Sequence, residues 1–218
     1  SIVMMTAALV IGIICGFFAV GLNWTVHALR HYITELELGF SSIFIPAIGA
    51  GIAVYLVRSL IRDSAAHGVS DVIKAMALGS EILRRRMIHS RFIGSLLTVG
   101  TGGSTGLEGP IVSIGGAIGS ALGRWMEMNE RHKKLLVGYG AAGAVAGIFN
   151  APLTGLIFSL EIIIGEWTYL TILPTIIAAV SATEISRFIM GNKIAFYHEI
   201  AGFSITSLLA CFVLGALT

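Results

Sequence analysis

Residues 92–123 constrain the fold most strongly, because this apolar, glycine-rich stretch carries one charged side chain, Glu108. About 20 apolar residues cross the roughly 30 Å hydrocarbon core of a bilayer as one helix. The stretch is longer than that, and its glycines weaken a continuous helix. We therefore predict two helices, 92–100 and 110–125, joined by residues 101–109.

The composition places the whole chain in a membrane. Hydrophobic residues make up 56% of the sequence and charged residues 12%, whereas soluble domains carry about 25% charged residues. Residues 2–28 are too long for the apolar core of a signal peptide and follow no basic segment, so we expect a tilted first span. Because the chain begins with Ser1, we expect residues to precede it. We predict an all-α polytopic membrane protein with tilted and broken transmembrane helices.

Four further apolar segments complete this pattern. Asn150-Ala151-Pro152 interrupts one of them, because proline removes a backbone donor and clashes with the preceding turn. The predicted segments are 38–57, the broken pair 135–149 and 152–164, 167–183, and a last one from Phe203 onward.

Most of the charge lies in two cationic connectors, 58–91 and 124–134. The positive-inside rule places the first on the cytoplasmic side, and we assign chemistry to neither. The net charge of +2 is too small to indicate a nucleic-acid partner. Cys15 and Cys211 lie inside apolar runs, which favours free buried thiols over a disulfide. No His/Cys cluster has the spacing of metal ligands, so we expect neither a metal nor a cofactor.

Small residues crowd 115–123 and 138–147, where they favour close packing of helices in lipid. Residues 7–12 resemble residues 210–215, a weak repeat of the kind found in transporters built from two related halves. We therefore divide the chain into a first repeat, 1–202, and the start of a second, truncated repeat, 203–218.

Glu108 stands where a helix begins, and this position predicts an anion site. Pro110 favours a helix start, and Gly106 and Gly109 allow the backbone to turn its N–H groups toward a ligand. A helix N-terminus carries about half a positive charge. An ionised Glu108 would compete with a dissolved anion for these donors, whereas a protonated one would swing aside. We therefore expect Glu108 to gate an anion path and to respond to protons.

Three motifs resemble those of the CLC chloride channels and chloride/proton antiporters. Gly106-Leu107-Glu108-Gly109-Pro110 is similar to the family signature G-[KR]-E-G-P, and His67-Gly68-Val69-Ser70 is similar to its G-S-G-I-P segment. Phe149-Asn150-Ala151-Pro152-Leu153 resembles the helix pair that follows the gate. The resemblance covers nearly the whole chain but only about the first half of a family member. It implies a CLC-type fold, of which this chain holds the first of two inverted repeats.

The resemblance also implies a function and a site. It implies passage of chloride or a similar small anion by a homodimer in a bacterial-type inner membrane, with Glu108 as the gate. The residues implied to hold the anion are His67, Gly68, Val69, Gly106, Leu107, Glu108 and Gly109.

Three positions in the two glycine-containing motifs at 67–70 and 106–110 differ from the family pattern in the chemistry of the side chain. His67 stands where the family places an anion-contacting serine, and because an imidazole titrates near neutral pH, we expect altered selectivity or pH response. Ser70 replaces a proline. Leu107 replaces a basic residue, which removes a positive charge near the outer mouth of the path.

A fourth departure concerns protons. Ile162 occupies the position at which many family antiporters carry an internal proton-relay carboxylate. This favours uncoupled or altered transport, with Glu161 or Glu166 as candidate internal relays. The choice between channel and chloride/proton antiporter stays open.

An intramembrane serine hydrolase is the alternative from another class. Residues 102–106, Gly-Gly-Ser-Thr-Gly, match the nucleophile-elbow pattern G-x-S-x-G. The reaction needs a base near Ser104, for which only His67 and His89 are candidates. The pattern normally follows a strand of an α/β sheet, and a chain of apolar helices provides none. We therefore expect no enzyme.

Overall fold

Helices dominate the structure, a computed structural model that describes residues 2–36, 44–61, 68–78 and 83–191. No strand occurs in these ranges. The helices are α1 (Ile2–Glu35), α2 (Ile45–Tyr55, continued by a π-helical turn, Leu56–Ile61), α3 (Gly68–Leu78), α4 (Arg86–Gly100), α5 (Glu108–Trp125), α6 (Glu130–Phe149), α7 (Pro152–Phe158, continued by a π-helical turn, Ser159–Ile164) and α8 (Tyr169–Met190). The predicted segment from Phe203, Cys211 and the second copy of the weak repeat lie outside the described residues.

Several helices extend beyond their predicted ends. α1 continues to Glu35 rather than residue 28, α4 begins at Arg86 rather than 92, α6 begins at Glu130 rather than 135, and α8 ends at Met190 rather than 183. Hydropathy marks the part of a helix that faces hydrocarbon, whereas backbone hydrogen bonding continues into turns that face water. The 34 residues of α1 span about 50 Å, so this helix must tilt or project from the bilayer core.

The helix α6 lies at the centre of the bundle and is buried without interruption from Leu136 to Ile148. It packs against α1, α5, α7 and α8. Its backbone touches that of α5, because a Cβ at Gly115 would overlap the carbonyl oxygen of Gly140, and a Cβ at Gly140 would overlap that of Gly115. Cys15 of α1 is a free, buried thiol beside the same Gly140 carbonyl. The predicted role of these glycines in close helix packing is confirmed.

The break between α6 and α7 occurs where it was predicted. Asn150 has a left-handed conformation, with φ 54° and ψ 36°, which asparagine adopts more readily than most residues. Arg187 of α8 donates from Nε to Asn150 Oδ1 at 2.8 Å. Pro152 lies in the first turn of α7, where its missing N–H leaves no hydrogen bond unmade.

Two of the described helices, α1 and α8, are long and apolar enough to cross a membrane. Shorter apolar helices cover Ile45–Ser59 and Pro152–Ile164. Large apolar side chains on α7 and α8 face outward, among them Leu153, Leu170 and Phe188. Such surfaces require lipid or protein around them.

Candidate functional site

A glycine turn separates α4 from α5 close to the predicted position. The N–H group of Gly103 donates back to the carbonyl oxygen of Thr98 at 2.9 Å, which satisfies an acceptor at the end of α4. Gly102 has a φ of 95°, in a region that residues with a Cβ avoid. The chain can therefore stop α4 abruptly and start α5 after residues 101–107.

Glu108 is the first residue of α5, two residues before the predicted start of this helix. The prediction put Pro110 at the helix start, and it is the third helical residue. No N–H group in a first turn has an intrahelical acceptor, so a proline fits any of these positions and does not identify the first. The Glu108 side chain is exposed and lies against Gly106, where a Cβ would overlap Glu108 Oε2. Within the described part of the chain, its carboxylate accepts no hydrogen bond.

The start of α3 lies against the start of α5. A Cβ at Gly68 would come within 3.0 Å of the Gly109 Cα, so the two backbones are almost in contact. Ser113, further along α5, donates its hydroxyl to the carbonyl oxygen of Gly68 at 2.8 Å. Gly68 also has a φ of 40°, which favours glycine. Glycine therefore permits an approach of two helix starts that larger residues would prevent.

Two helix N-termini thus meet at one place. The first-turn N–H groups of each have no intrahelical acceptor, and each N-terminus carries about half a positive charge. Such an arrangement stabilises a small anion without any basic side chain. Glu108 carries a negative charge at the start of α5, so the positive helix N-termini favour this side chain when it is ionised as they favour an anion.

The structure brings together six of the seven residues expected to hold an anion. They are Gly68 and Val69 at the start of α3, Gly106 and Leu107 before α5, and Glu108 and Gly109 in its first turn. His67 lies outside the described residues. Leu107 is half-buried and packs against the hydrophobic core, so the departure from a basic residue places an aliphatic side chain in the wall of the site.

Glu161 and Glu166 lie on other elements. Glu161 is exposed on the π-helical turn Ser159–Ile164, and Glu166 is exposed in the segment before α8. Neither forms an ion pair with another described residue. The π-helical turn contacts α3, so Glu161 belongs to an element attached to the site, although the structure does not bring its side chain to Glu108.

A buried ion pair that the sequence analysis did not single out joins α3 to α4. Arg91 donates from Nη2 to Asp71 Oδ2 at 2.8 Å, and the two side chains are 9% and 16% exposed. The assignment of 58–91 to a connector is therefore wrong for these two residues, which lie on packed helices. Asp71 lies in the first turn of α3, where a negative charge is favourable. One sequence feature could have indicated this burial: Arg91 directly precedes an apolar run. Because α4 begins at Arg86, it includes Arg91 together with that run.

A cavity of about 180 Å³ lies beside this ion pair, between α2 and α4, and reaches Pro110 of α5. Ser95 and Thr98 line it, and each donates its hydroxyl to a carbonyl oxygen of its own helix at 2.7 Å. These two hydroxyl groups therefore offer the cavity acceptor lone pairs and no free donor.

The described residues do not assemble a serine-hydrolase site. Ser104 is exposed in the loop between α4 and α5. His89 is exposed on α4, about 16 Å along the helix from its end at about 1.5 Å per residue. The other candidate base, His67, lies outside the described residues. No strand precedes the serine in the described chain, so the strand-turn-helix context of a nucleophile elbow is missing there.

Sequence comparison decides the family. The chain matches the voltage gated chloride channel family over residues 49–218. The chain belongs to the CLC family. This CLC chain is 33% identical over 156 residues to the putative chloride channel protein ClcB-like of Ralstonia nicotianae, covering 70% of this chain and 36% of the relative. It is 30% identical over 197 residues to the H(+)/Cl(-) exchange transporter ClcA of Vibrio cholerae, covering 85% of this chain and 42% of the relative.

Solved CLC structures share the fold. A CLC-type fluoride/proton antiporter superposes with a TM-score of 0.78 at 26% identity, covering 99% of this chain and 54% of the antiporter chain. A slow cyanobacterial Cl-/H+ antiporter superposes with a TM-score of 0.76 at 23% identity, covering 98% of this chain and 53% of that antiporter chain. The predicted all-α polytopic membrane fold is confirmed. The CLC chain spans about half the length of these structures and less than half of the two curated relatives.

Proposed function

We propose that this CLC chain forms part of a transmembrane path for chloride or a similar small anion, and that Glu108 gates the path. The contact between Gly68 and Gly109 carries the proposal, because it sets the starts of α3 and α5 side by side. Glu108 stands at that place as the first residue of α5. An anion bound there would be stabilised by the N–H groups and partial charges of both helices.

The gate would work by competition. An ionised Glu108 carries the same charge as the transported anion, so both seek the N–H groups at the helix starts. Protonation removes that charge and leaves a neutral side chain that no described residue holds. The residues that would line the path are His67, Gly68 and Val69 on the inner side, with Gly106, Leu107, Glu108 and Gly109 opposite them.

Proton-coupled exchange is the second candidate. The Vibrio cholerae relative is named as an H(+)/Cl(-) exchange transporter, and the 26% identical structure is a fluoride/proton antiporter. Ile162 cannot relay a proton. Glu161 is its neighbour, is exposed, and lies on the turn that contacts α3, so it is the stronger substitute; Glu166 lies further along the chain, outside that turn.

We also infer that the protein acts as a homodimer in a bacterial-type inner membrane. Both named relatives are bacterial proteins. The exposed apolar faces of α7 and α8 provide a surface that a second copy or lipid would cover.

Anion flux and proton movement from liposomes containing the full-length protein test the gate. Glu108→Gln keeps the size of the side chain and removes its charge, so we expect anion flux at neutral pH to rise and its pH dependence to disappear. Glu35→Gln is the control, because Glu35 is an exposed carboxylate at the end of α1, paired only with the exposed His31 at 3.5 Å among the described residues. If Glu108→Gln changes neither the flux nor its pH dependence, the gating role is wrong.

The same liposomes separate the two candidates. Exchange requires chloride-driven proton uptake by the unmodified protein, and Glu161→Gln should then abolish proton uptake while anion flux persists. If the unmodified protein takes up no protons under a chloride gradient, the proposal of proton-coupled exchange is wrong and the proposal of uncoupled anion passage is supported. Repeating the measurement with a fluoride gradient identifies the preferred anion.

A further inference from the structure

The two cationic connectors meet at one end of the bundle and form a pocket. Arg84 and Arg85, which precede α4, line one side, and Arg124 and Trp125, at the end of α5, line the other. The pocket has a volume of about 500 Å³, and its described lining contains three guanidinium groups and no carboxylate. Arg84 and Arg124, 40 residues apart in sequence, therefore contribute to one positively charged concave surface.

Arg124 is held in place on the pocket wall. Its Nη1 donates to Ser120 Oγ at 2.5 Å, and its Nη2 donates to the carbonyl oxygen of Leu83 at 3.2 Å. These bonds tie the end of α5 to the segment that leads into α4. The positive charge of Arg124 is thus positioned before any ligand arrives, which reduces the entropy that binding would cost.

Three of the last four carbonyl groups of α5 accept hydrogen bonds from the following turn, which lessens their repulsion of an anion. The N–H groups of residues 126–128 donate to the carbonyl oxygens of residues 122–124, at 2.9 to 3.2 Å. The negative end of the helix is therefore satisfied by its own following turn.

Arg84 and Arg85 are exposed and form no ion pair with another described residue. The nearby Glu130 is engaged by Lys133 at 2.9 Å. The basic residues of the described segments 83–86 and 124–134 outnumber the two glutamates there, Glu127 and Glu130; they are Arg84, Arg85, Arg86, Arg124, Arg131, Lys133 and Lys134. The described residues of these two segments thus carry an excess of positive charge.

Trp125 indicates the depth of the pocket in the membrane. Its side chain is 75% exposed, and exposed tryptophan at the end of a membrane helix favours the level of the lipid headgroups. Excess Arg and Lys favour the cytoplasmic side, where the leaflet carries anionic lipids. Guanidinium groups match the oxygens of a phosphate with paired hydrogen bonds. We propose that this pocket binds the phosphate of an anionic phospholipid headgroup.

A lipid fits these observations better than a soluble phosphate. Free phosphate requires only the arginines, whereas the exposed indole of Trp125 provides an apolar surface for the glycerol and upper acyl region of a lipid. The pocket also lies between the start of α4 and the end of α5.

The test uses the full-length protein in detergent, freed of lipid and titrated with phosphatidylglycerol or, separately, phosphatidylcholine, with bound lipid counted by native mass spectrometry. We expect phosphatidylglycerol to bind in preference, and Arg84→Gln/Arg85→Gln to weaken it at least about tenfold, since each basic residue near an anionic lipid contributes about a factor of five. Arg131→Gln/Lys134→Gln is the matched control, because it removes two charges from the same end of the bundle outside the pocket. We expect less than about a twofold effect there.

Three results would overturn the proposal. The pocket variant could bind phosphatidylglycerol as tightly as the unmodified protein. Both double variants could lose affinity equally, which would mean that only the overall charge matters. Millimolar inorganic phosphate could displace the lipid, which would identify a soluble anion as the ligand. Thermal unfolding of each variant confirms that it is folded, and the lipid count does not depend on whether Glu108 gates anion flux.

Discussion

Replacement of Gly68 by alanine tests the contact on which the proposed site depends. Gly68 opens α3 with a φ of 40°, and its backbone faces that of Gly109 at the start of α5. An added methyl group would come within 3.0 Å of the Gly109 Cα. Moving a side chain cannot relieve this contact, because the atoms nearest the added methyl group belong to the Gly109 backbone.

The expected loss of stability has two parts. An L-residue in the left-handed region costs about 1 to 2 kcal/mol. Inserting a methyl group into a packed contact costs about 1 to 3 kcal/mol. Gly68→Ala should therefore destabilise the protein by about 2 to 5 kcal/mol, which lowers the unfolding midpoint by at least about 4 °C in a folding unit of some 200 residues. Because the change separates α3 from α5, anion flux should fall as well.

Gly94→Ala is the control for this substitution. Gly94 lies inside α4, and its added Cβ would meet only Val57 Cγ2 at 3.7 Å, an ordinary contact. Alanine should stabilise the helix there by about 0.5 to 1 kcal/mol. Thermal unfolding of the purified protein, followed by size-exclusion chromatography, should therefore show shifts of opposite sign for the two variants. Equal midpoints for Gly68→Ala and the unmodified protein would refute the close approach of the two helix starts.

Two other substitutions follow from contacts of single side chains. Gly106→Ala places a Cβ where Glu108 Oε2 lies; because the carboxylate ends a flexible side chain, we expect it to move while the fold persists. The pH dependence of anion flux through this variant should then approach that of Glu108→Gln. A pH profile equal to that of the unmodified protein would contradict this. Arg91→Met leaves the partly buried Asp71 without its ion-pair partner and should cost about 1 to 3 kcal/mol. Adding Asp71→Asn should recover part of that loss in thermal unfolding, and a double variant no more stable than Arg91→Met would contradict the reasoning.

The helix breaks were predictable because their causes are local. Pro152 and Asn150 specify the α6–α7 turn by the geometry of their own residues, and Gly102 does the same at the end of α4. The ends of α1, α4 and α6 were predicted too short, because hydropathy detects the lipid-facing part of a helix and not its charged, water-facing turns. The start of α5 was predicted two residues too late for a different reason, since a proline fits several positions of a first turn.

Contacts between distant segments could not be read from residue patterns. Asp71 and Arg91 are 20 residues apart, and both stood in a stretch of charges that resembled a solvated connector. The approach of Gly68 to Gly109 was expected only through the resemblance to the CLC family, because glycine alone does not indicate which backbone it will meet. The pocket lined by Arg84 and Arg124 could not be predicted for the same reason. Its two sides come from separate connectors that meet only when the helices pack.

The backbone contact between Gly115 and Gly140 has a consequence for speed. Because α5 touches α6 without an intervening side chain, α5 has little room to slide or rotate, and such helix shifts take microseconds to milliseconds. Rotation of one exposed side chain takes picoseconds to nanoseconds. If Glu108 is the gate, its side chain can therefore move without a shift of α5, so opening does not require a helix motion on the slower timescale.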